Sequence, residues 1–197
     1  MEENAGERMT LGEAARIGYF RQDLLPPEVQ PELSVVRHYA QRERPFVMTN
    51  GIQASWLELD VESGFVRLLR HFVVHDAGVM INPMLFEEQI RGGVVQGLGA
   101  ALYEEILYNE EGQMITGTLT DYLVSMPFEA LDIRLGHVKT PLAGTAIGAK
   151  GVDEAGVAGS SGAVLNAVND ALAPFGAHLF QLPVTPERVL RALGIVA

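Results

Sequence analysis

The chain has 197 residues, 48% of them apolar, which is enough to fill the core of one large domain or two small ones. Acidic side chains outnumber basic ones by 25 to 14, and a net charge of -11 opposes binding to nucleic-acid phosphates or anionic membrane surfaces. The sequence contains no cysteine, which excludes disulfides, thiolate metal ligands, iron–sulfur ligation and cysteine nucleophiles. Any electrons handled here would therefore leave through another polypeptide.

The sequence carries no signal for membrane insertion or secretion. No apolar run approaches the roughly 20 residues that a membrane-spanning helix needs. The first residues are acidic and are not followed by the apolar core of a secretory signal. We therefore expect a cytoplasmic protein.

The first 45 residues resemble an arm or connector. Apolar residues between Thr10 and Phe20 have helical spacing, but prolines at 26, 27 and 31 interrupt the segment after this helix. A charged stretch at residues 41–45 ends the region. The sequence thus predicts an N-terminal arm over residues 1–45 and a folded domain over residues 46–197.

The second part alternates between strand and helix patterns. Residues 55–61 alternate between polar and apolar side chains, and a turn containing Gly64 joins them to a more apolar strand, which predicts a β-hairpin. The later segments predict a helix over 84–105, a strand pair over 107–122, a strand over 132–139, a helix from about Ser161, and a final helix opened by Thr185 and Pro186. The pattern indicates an α+β fold with mixed sheets and hairpins packed with helices.

Four glycines lie within the long helix, around Gln96 and Gly97. Glycine in a helix interior costs up to about 1 kcal/mol relative to alanine, so a close approach to another element or to a ligand must compensate. The amide of Gln96 offers a donor and an acceptor to a planar heterocycle. The alternative is tight packing between secondary-structure elements, with Gln96 at the rim.

The glycine-rich segment 143–162 carries Lys150, Asp153 and Glu154 among small residues. Successive backbone amides before a helix can form an anion site, and a confined carboxylate can serve as a general base. The alternative is an exposed loop with solvated acids. The segment does not match a nucleotide-binding P-loop, because Gly151 follows Lys150 where that motif has Ser or Thr.

The five histidines do not form a predicted metal site. No pair has the spacing of metal ligands on a helix, and His71 and His75 lie four residues apart on a predicted strand. Structural or surface roles are favoured for these side chains. No metal ligands are predicted anywhere in the chain.

Several segments, taken in order, resemble one known family. The segments are VHDAG at 74–78, INP at 81–83, QIRGGVVQGLGAALYEE at 89–105, GTLTDY at 117–122, KGVDEAG at 150–156, NAV at 166–168 and TPER at 185–188. Together they look like the C-terminal part of the molybdopterin-binding large subunit of xanthine dehydrogenase, aldehyde oxidoreductase and carbon monoxide dehydrogenase. The resemblance covers roughly residues 23–193.

The resemblance implies a molybdenum hydroxylase that oxidises an N-heterocycle, an aldehyde or a related substrate with water as the oxygen source. It implies a molybdopterin cofactor, in bacteria often the cytosine dinucleotide form, with iron–sulfur clusters and FAD in partner subunits. By match to the family motif, Glu154 is the catalytic base. Gln96 with Gly97, and the backbone of Lys150, Gly151 and Val152, contact the cofactor.

Two departures from the family pattern stand out. Asp153 occupies the position of the usual glycine, where a second carboxylate either raises the pKa of Glu154 or faces solvent. Family large subunits are several times longer, so the chain is either one half of a split subunit or an excised domain, inactive alone and active with the remainder. The alternative function is a non-catalytic assembly subunit or degenerate paralogue without cofactor.

Overall fold

The computed structural model describes residues 8–32, 34–40, 48–126, 129, 132–152 and 154–197. The chain divides into two compact units, Met1–Ala40 and Gln41–Ala197. The division predicted at residue 45 falls within residues 41–47, outside the described residues.

In the first unit, helix α1 (Leu11–Phe20) begins where the spacing predicts it. The hydroxyl of Thr10 accepts a hydrogen bond from the backbone N–H of Glu13, and the Glu13 carboxylate accepts one from the backbone of Thr10. This reciprocal pair satisfies two of the backbone donors that a helix start leaves free. A short 3₁₀ turn, Gln22–Leu24, follows.

The second unit is built on a three-stranded sheet, ordered β1 (Asn50–Leu59), β2 (Val66–Asp76) and β3 (Ile133–His137). Strands β1 and β2 pair antiparallel and confirm the predicted hairpin, whereas β3 lies parallel to β2. Inward residues of β1 alternate with exposed ones, as the polar and apolar alternation predicts.

The hairpin turn is organised by one carboxylate. The side chain of Asp60 accepts hydrogen bonds from the backbone N–H of Glu62 and the hydroxyl of Ser63. Gly64 closes the turn at a φ of +77°, a conformation that side-chain-bearing residues rarely adopt. The turn sets the pairing of the strand ends beside it, and the register shifts once, between Trp56 and Leu57, before Ser55 faces His71 across the two strands.

Three further helices complete the second unit: α2 (Pro83–Leu102), α3 (Ala155–Leu172) and α4 (Pro186–Ala192). The side chains of Asn82 and Thr185 cap α2 and α4, each directly before a proline. Helix α3 packs against β1, and α2 packs against α3. The core comprises Leu68, Val73, Ile90, Val94, Leu98, Ile133, Val164, Val168, Leu172 and Val189, among others. The mixed α+β architecture agrees with the prediction.

The strand pair predicted over residues 107–122 is wrong. Within this segment the structure has only an isolated bridge between Tyr108 and Met114. Most side chains here are exposed, and no described strand lies alongside to extend the pairing. Without a buried face, alternation in the sequence does not lead to a strand.

The start predicted for α3 at Ser161 is also wrong. The helix begins at Ala155, so Gly156, Gly159 and Ser160 are helical and not part of a loop. These small residues lie where other elements approach the helix closely. A Cβ at Gly156 would meet the carbonyl oxygen of Ile90 at 2.5 Å.

Among the described residues, none of the helices combines the length and the apolar character that crossing a membrane requires.

Candidate functional site

Gln96 and Glu154 line the same cleft, of about 280 Å³, between α2 and the beginning of α3. We call it the α2–α3 cleft, and its lining consists of Glu88, Gln89, Gly92, Gly93, Gln96, Glu154 and Val157. Two residues that the sequence marks separately, one in a helix and one in a glycine-rich segment, are thus neighbours in the fold.

The cleft exists because α2 and α3 cross at small residues. A Cβ at Gly93 would meet the Cα of Gly156 at 3.0 Å, and one at Gly97 would overlap the hydroxyl of Ser160. The carbonyl of Gly97 also accepts a hydrogen bond of 2.8 Å from the hydroxyl of Ser161. Gly97, predicted to contact a cofactor, therefore lies at the helix crossing.

One glycine of α2 has a different environment. A Cβ at Gly92 would meet nothing within 4 Å, and this residue faces the α2–α3 cleft. Among the described residues, no group forms a hydrogen bond with the side-chain amide of Gln96 one turn later. This face of α2 thus presents an open backbone and an unengaged amide to whatever enters the cleft.

The segment before Glu154 is anchored by a buried ion pair. Lys150 Nζ lies 2.8 Å from Asp76 Oδ2, and the two side chains are 7% and 10% exposed. The backbone N–H of Lys150 donates to the carbonyl of Ala77 at 2.9 Å. The ammonium group of Lys150 is therefore engaged within the protein.

Asp76 joins three segments at the carboxyl end of β2. Besides Lys150, its carboxylate accepts hydrogen bonds from the backbone N–H of Gly78 at 2.9 Å and of Thr140 at 3.1 Å. The Lys150 ammonium, followed by the Gly78 N–H, holds the pKa of Asp76 well below its usual range. Gly78 has a φ of +65°, and a Cβ there would overlap the carbonyl of Gly148. Asp76 thus remains ionised and fixes the base of the loop.

The end of the loop presents free backbone donors. Among the described residues, the N–H groups of Gly151 and Val152 have no acceptor, whereas the carbonyl of Val152 accepts the N–H of Ala155. Glu154 is exposed, sits at the N-cap of α3 and makes no capping bond with its side chain. Asp153, and the predicted effect of its carboxylate on Glu154, lie outside the described residues.

A second cleft, of about 410 Å³, lies beside this loop. Its lining includes Lys150 and Val152 and is mainly apolar, with Met80, Ile81, Leu85 and Phe86. Gln89 lines both clefts. Gln89 is not among the predicted site residues, although its position seven residues before Gln96 places the two side chains on one face of α2.

Within the described part of the chain, no group of three His, Cys, Asp or Glu side chains is arranged to hold a metal ion. His71 and His75 are buried in β2, and burial lowers the pKa of each imidazole. The structure thus places these two histidines inside the fold.

Comparison with known proteins shows a consistent relationship. Residues 2–130 match the model of the molybdopterin cofactor-binding domain family. The large subunit of nicotine 6-hydroxylase from Paenarthrobacter nicotinovorans is 42% identical over 98% of this chain and 23% of that protein. The large chain of carbon monoxide dehydrogenase from Afipia carboxidovorans is 31% identical over 80% of this chain and 19% of that protein.

Solved structures show the same relationship. Quinoline 2-oxidoreductase from Pseudomonas putida 86 superposes with a TM-score of 0.77 and 38% identity, over 90% of this chain and 22% of that chain. The Cu,Mo-containing carbon monoxide dehydrogenase superposes with a TM-score of 0.76 and 30% identity, over 96% of this chain and 24% of that one. The chain thus spans less than a quarter of the length of these relatives.

Proposed function

The chain belongs to the molybdopterin cofactor-binding domain family found in the large subunits of molybdenum hydroxylases, and from this premise we propose that it forms the C-terminal part of such an active site. In this proposal Glu154 is the catalytic base. Gln96 and the backbone of residues 150–152 hold the cofactor. The observation that carries the proposal is that Gln96 and Glu154 line one cleft.

The residues around the cleft fit an extended, polar organic cofactor. Gln96 supplies an unengaged amide, Gly92 leaves room for a ring to approach the helix backbone, and Gly151 and Val152 supply free N–H donors. On this proposal the molybdenum is carried by the cofactor. Gly97 contributes through its position at the helix crossing.

When bound, the cofactor supplies a centre that accepts two electrons from the substrate carbon. Glu154 then acts as a general base and removes a proton as a water-derived oxygen attacks that carbon. The exposed carboxylate needs a cover that excludes water, and the remaining part of a subunit as long as the relatives would provide it. The Lys150 ammonium stays with Asp76, so only the backbone of Lys150 faces the cofactor.

The proposal extends to substrate, partners and location. The substrate class is an N-heterocycle, an aldehyde or a related electron-poor compound. The partners are the remainder of the molybdenum subunit, an iron–sulfur subunit and an FAD subunit, and the pterin is the cytosine dinucleotide form. Relatives named as large or gamma subunits of complexes support a multi-subunit assembly. A cytoplasmic location, expected from the sequence, is also part of the proposal.

The substitution Glu154→Gln in the assembled complex tests the role of the base. We expect turnover to fall by about 10²- to 10⁴-fold, because the amide cannot accept the proton. Molybdenum and pterin contents should remain those of the unchanged complex. Glu62→Gln, an exposed position in the hairpin turn, is the matched control and should keep full turnover.

Two outcomes would contradict the proposal. Full turnover by the Glu154→Gln complex would remove Glu154 from the chemistry. A correctly assembled complex that contains neither molybdenum nor pterin would instead indicate the non-catalytic assembly subunit.

A further inference from the structure

A chain of polar side chains runs beneath α3 from the β1–β2 hairpin. Ser55 Oγ lies 2.9 Å from His71 Nδ1, and His71 Nε2 lies 2.9 Å from Gln53 Oε1. Gln53 Nε2 donates to the carbonyl oxygens of Ala155 at 3.2 Å and Gly156 at 2.9 Å. The polar chain therefore ends on the two residues that directly follow Glu154.

The two backbone carbonyls at the end of this polar chain determine the direction of every hydrogen bond within it. The carbonyls of Ala155 and Gly156 can only accept, so the nitrogen of the Gln53 amide must face them. The amide oxygen then faces His71 and accepts from it, which places the imidazole proton on Nε2. The neutral ring accepts at Nδ1 from the hydroxyl of Ser55.

Burial supports the neutral form of this imidazole. The His71 side chain is 0% exposed, and burial lowers its pKa. A neutral ring with one donor and one acceptor satisfies both neighbours. Each member of the chain is thus held in one orientation, which makes Gln53 a rigid support.

Helix α3 has a glycine, Gly159, where the side chain of Gln53 approaches it. A Cβ at Gly159 would meet Cδ and Nε2 of Gln53 at 3.1 Å each, so only glycine leaves ordinary space for the amide beneath α3. Gln53 thus contacts three residues in the first two turns of the helix. Glu154 is the N-cap of the same helix and makes no capping bond of its own.

We propose that Gln53, oriented by His71 and Ser55, is a positioning residue that fixes the first turn of α3 and thereby the carboxylate of Glu154. This inference rests on the proposed role of Glu154 as the base. Gln53 acts only through the helix backbone, since it contacts the residues after Glu154 and not its carboxylate. A displacement of about 1 Å at a reacting group costs on the order of 100-fold in rate, so such support matters for turnover.

The sharpest test is Gln53→Glu in the assembled complex. The introduced carboxylate, when ionised, has the shape of the amide and can still accept from His71, but it cannot donate to the two carbonyls. We expect kcat to fall by about 10-fold or more while KM changes less than about twofold and molybdenum content is unchanged. Gln113→Glu, at an exposed turn, makes the same chemical change and should keep the original kcat.

Hydrogen exchange provides a readout that does not depend on activity. In the purified 197-residue chain, Gln53→Glu should accelerate exchange of the backbone amides in the first turn of α3, with no change in the middle of α2. If Gln53→Glu does not fold, Gln53→Met removes the donated bonds without adding charge and serves in its place.

The outcomes separate this inference from the proposed function. Original kcat together with unchanged exchange at the start of α3 would overturn the positioning role. A lower melting temperature with original kcat would also overturn it, because Gln53 would then be merely structural. If Glu154→Gln remains active, the proposed function itself fails, whatever the Gln53 variants do.

Discussion

The segment before Glu154 and the helical turn after it are both attached to the β1–β2 hairpin, but by different chemistry. Before Glu154, a buried ion pair between Asp76 and Lys150 holds the loop. After it, neutral hydrogen bonds from Gln53 hold the helix to the hairpin, and close packing at Gly156 holds it against α2. Removing one partner of a buried ion pair is costly, because the other charge stays buried without its counter-ion. The stability of the neutral anchor depends instead on close packing and on the protonation state of His71.

The largest expected effect comes from breaking the charged anchor. Lys150→Met leaves the Asp76 carboxylate buried beside two backbone donors without its counter-ion. We expect the free energy of unfolding of the chain to fall by about 3–5 kcal/mol, measured by urea denaturation. The control Arg191→Met breaks an exposed ion pair with Glu187 and should cost less than about 1 kcal/mol.

The double variant Asp76→Asn/Lys150→Met sharpens this prediction. It removes both charges, so it should be more stable than Lys150→Met alone. Equal stability of the single and double variants would mean that the unpaired carboxylate is not the source of the loss.

A smaller effect is expected from the neutral anchor when its packing is disturbed. In Gly156→Ala, the new Cβ would meet the carbonyl oxygen of Ile90 at 2.5 Å and the nitrogen of Val94 at 2.7 Å. Forcing α2 and α3 apart should destabilise the chain by about 1–3 kcal/mol in the same denaturation experiment.

Gly162→Ala is the matched control in the same helix. A Cβ there meets nothing within 4 Å, so the substitution should stabilise the chain by about 0.5–1 kcal/mol through helix propensity alone. The two substitutions are chemically identical and should have opposite signs. The same sign for both would indicate that the helix crossing is not packed as described.

Local signals in the sequence were sufficient to predict many of the helices and strands. Helical spacing after Thr10 predicts the first helix, and the cap at Thr185 predicts where the last one begins. Alternation in residues 55–61 predicts a strand with one buried face. These features depend on neighbours within four residues or on a period of two. For that reason they can be recognised without knowledge of the tertiary structure.

The beginning of α3 could not be recognised in this way. Glycine disfavours helix, so Gly156 and Gly159 indicate a loop when only local propensity is considered. They are helical because α2 and Gln53 occupy the space that side chains would need. Gln53 lies 103 residues from Gly156 in the sequence, and Asp76 lies 74 residues from Lys150. No local pattern contains such partners.

In the candidate site, too, some features could be predicted from the sequence and others depend on contacts between distant residues. Resemblance to a family drew attention to Gln96 and Glu154, but only the fold brings both to one cleft. Asp76 lies in a segment that resembles the family, but no sequence pattern marks Asp76 or Gln53 as an anchor for the segments beside Glu154. Their roles follow from hydrogen bonds that join the hairpin to the segments before and after Glu154.

The last expected effect separates the two anchors by pH. The folded pKa of His71 lies below its unfolded value of about 6.5, because burial disfavours the imidazolium. As pH falls through about 6.5, the unfolded chain takes up the proton before the folded one, so stability falls by at most about 1.4 kcal/mol per pH unit from this histidine. His75, whose pKa is also lowered by burial, acts in the same direction.

Asp76 behaves differently over the same range. Its folded pKa is depressed, so its contribution is fully present above the unfolded value of about 3.9 and is lost only in stronger acid. Between pH 7 and pH 5, acid should therefore weaken the neutral anchor after Glu154 and leave the charged anchor before it intact. His71→Gln keeps a donor for Gln53 and an acceptor for Ser55 but cannot titrate, so it should reduce the slope of stability against pH in urea denaturation. An unchanged slope would mean that His71 binds its proton equally well in the folded and the unfolded chain. The neutral anchor would then be no more sensitive to acid than the charged one.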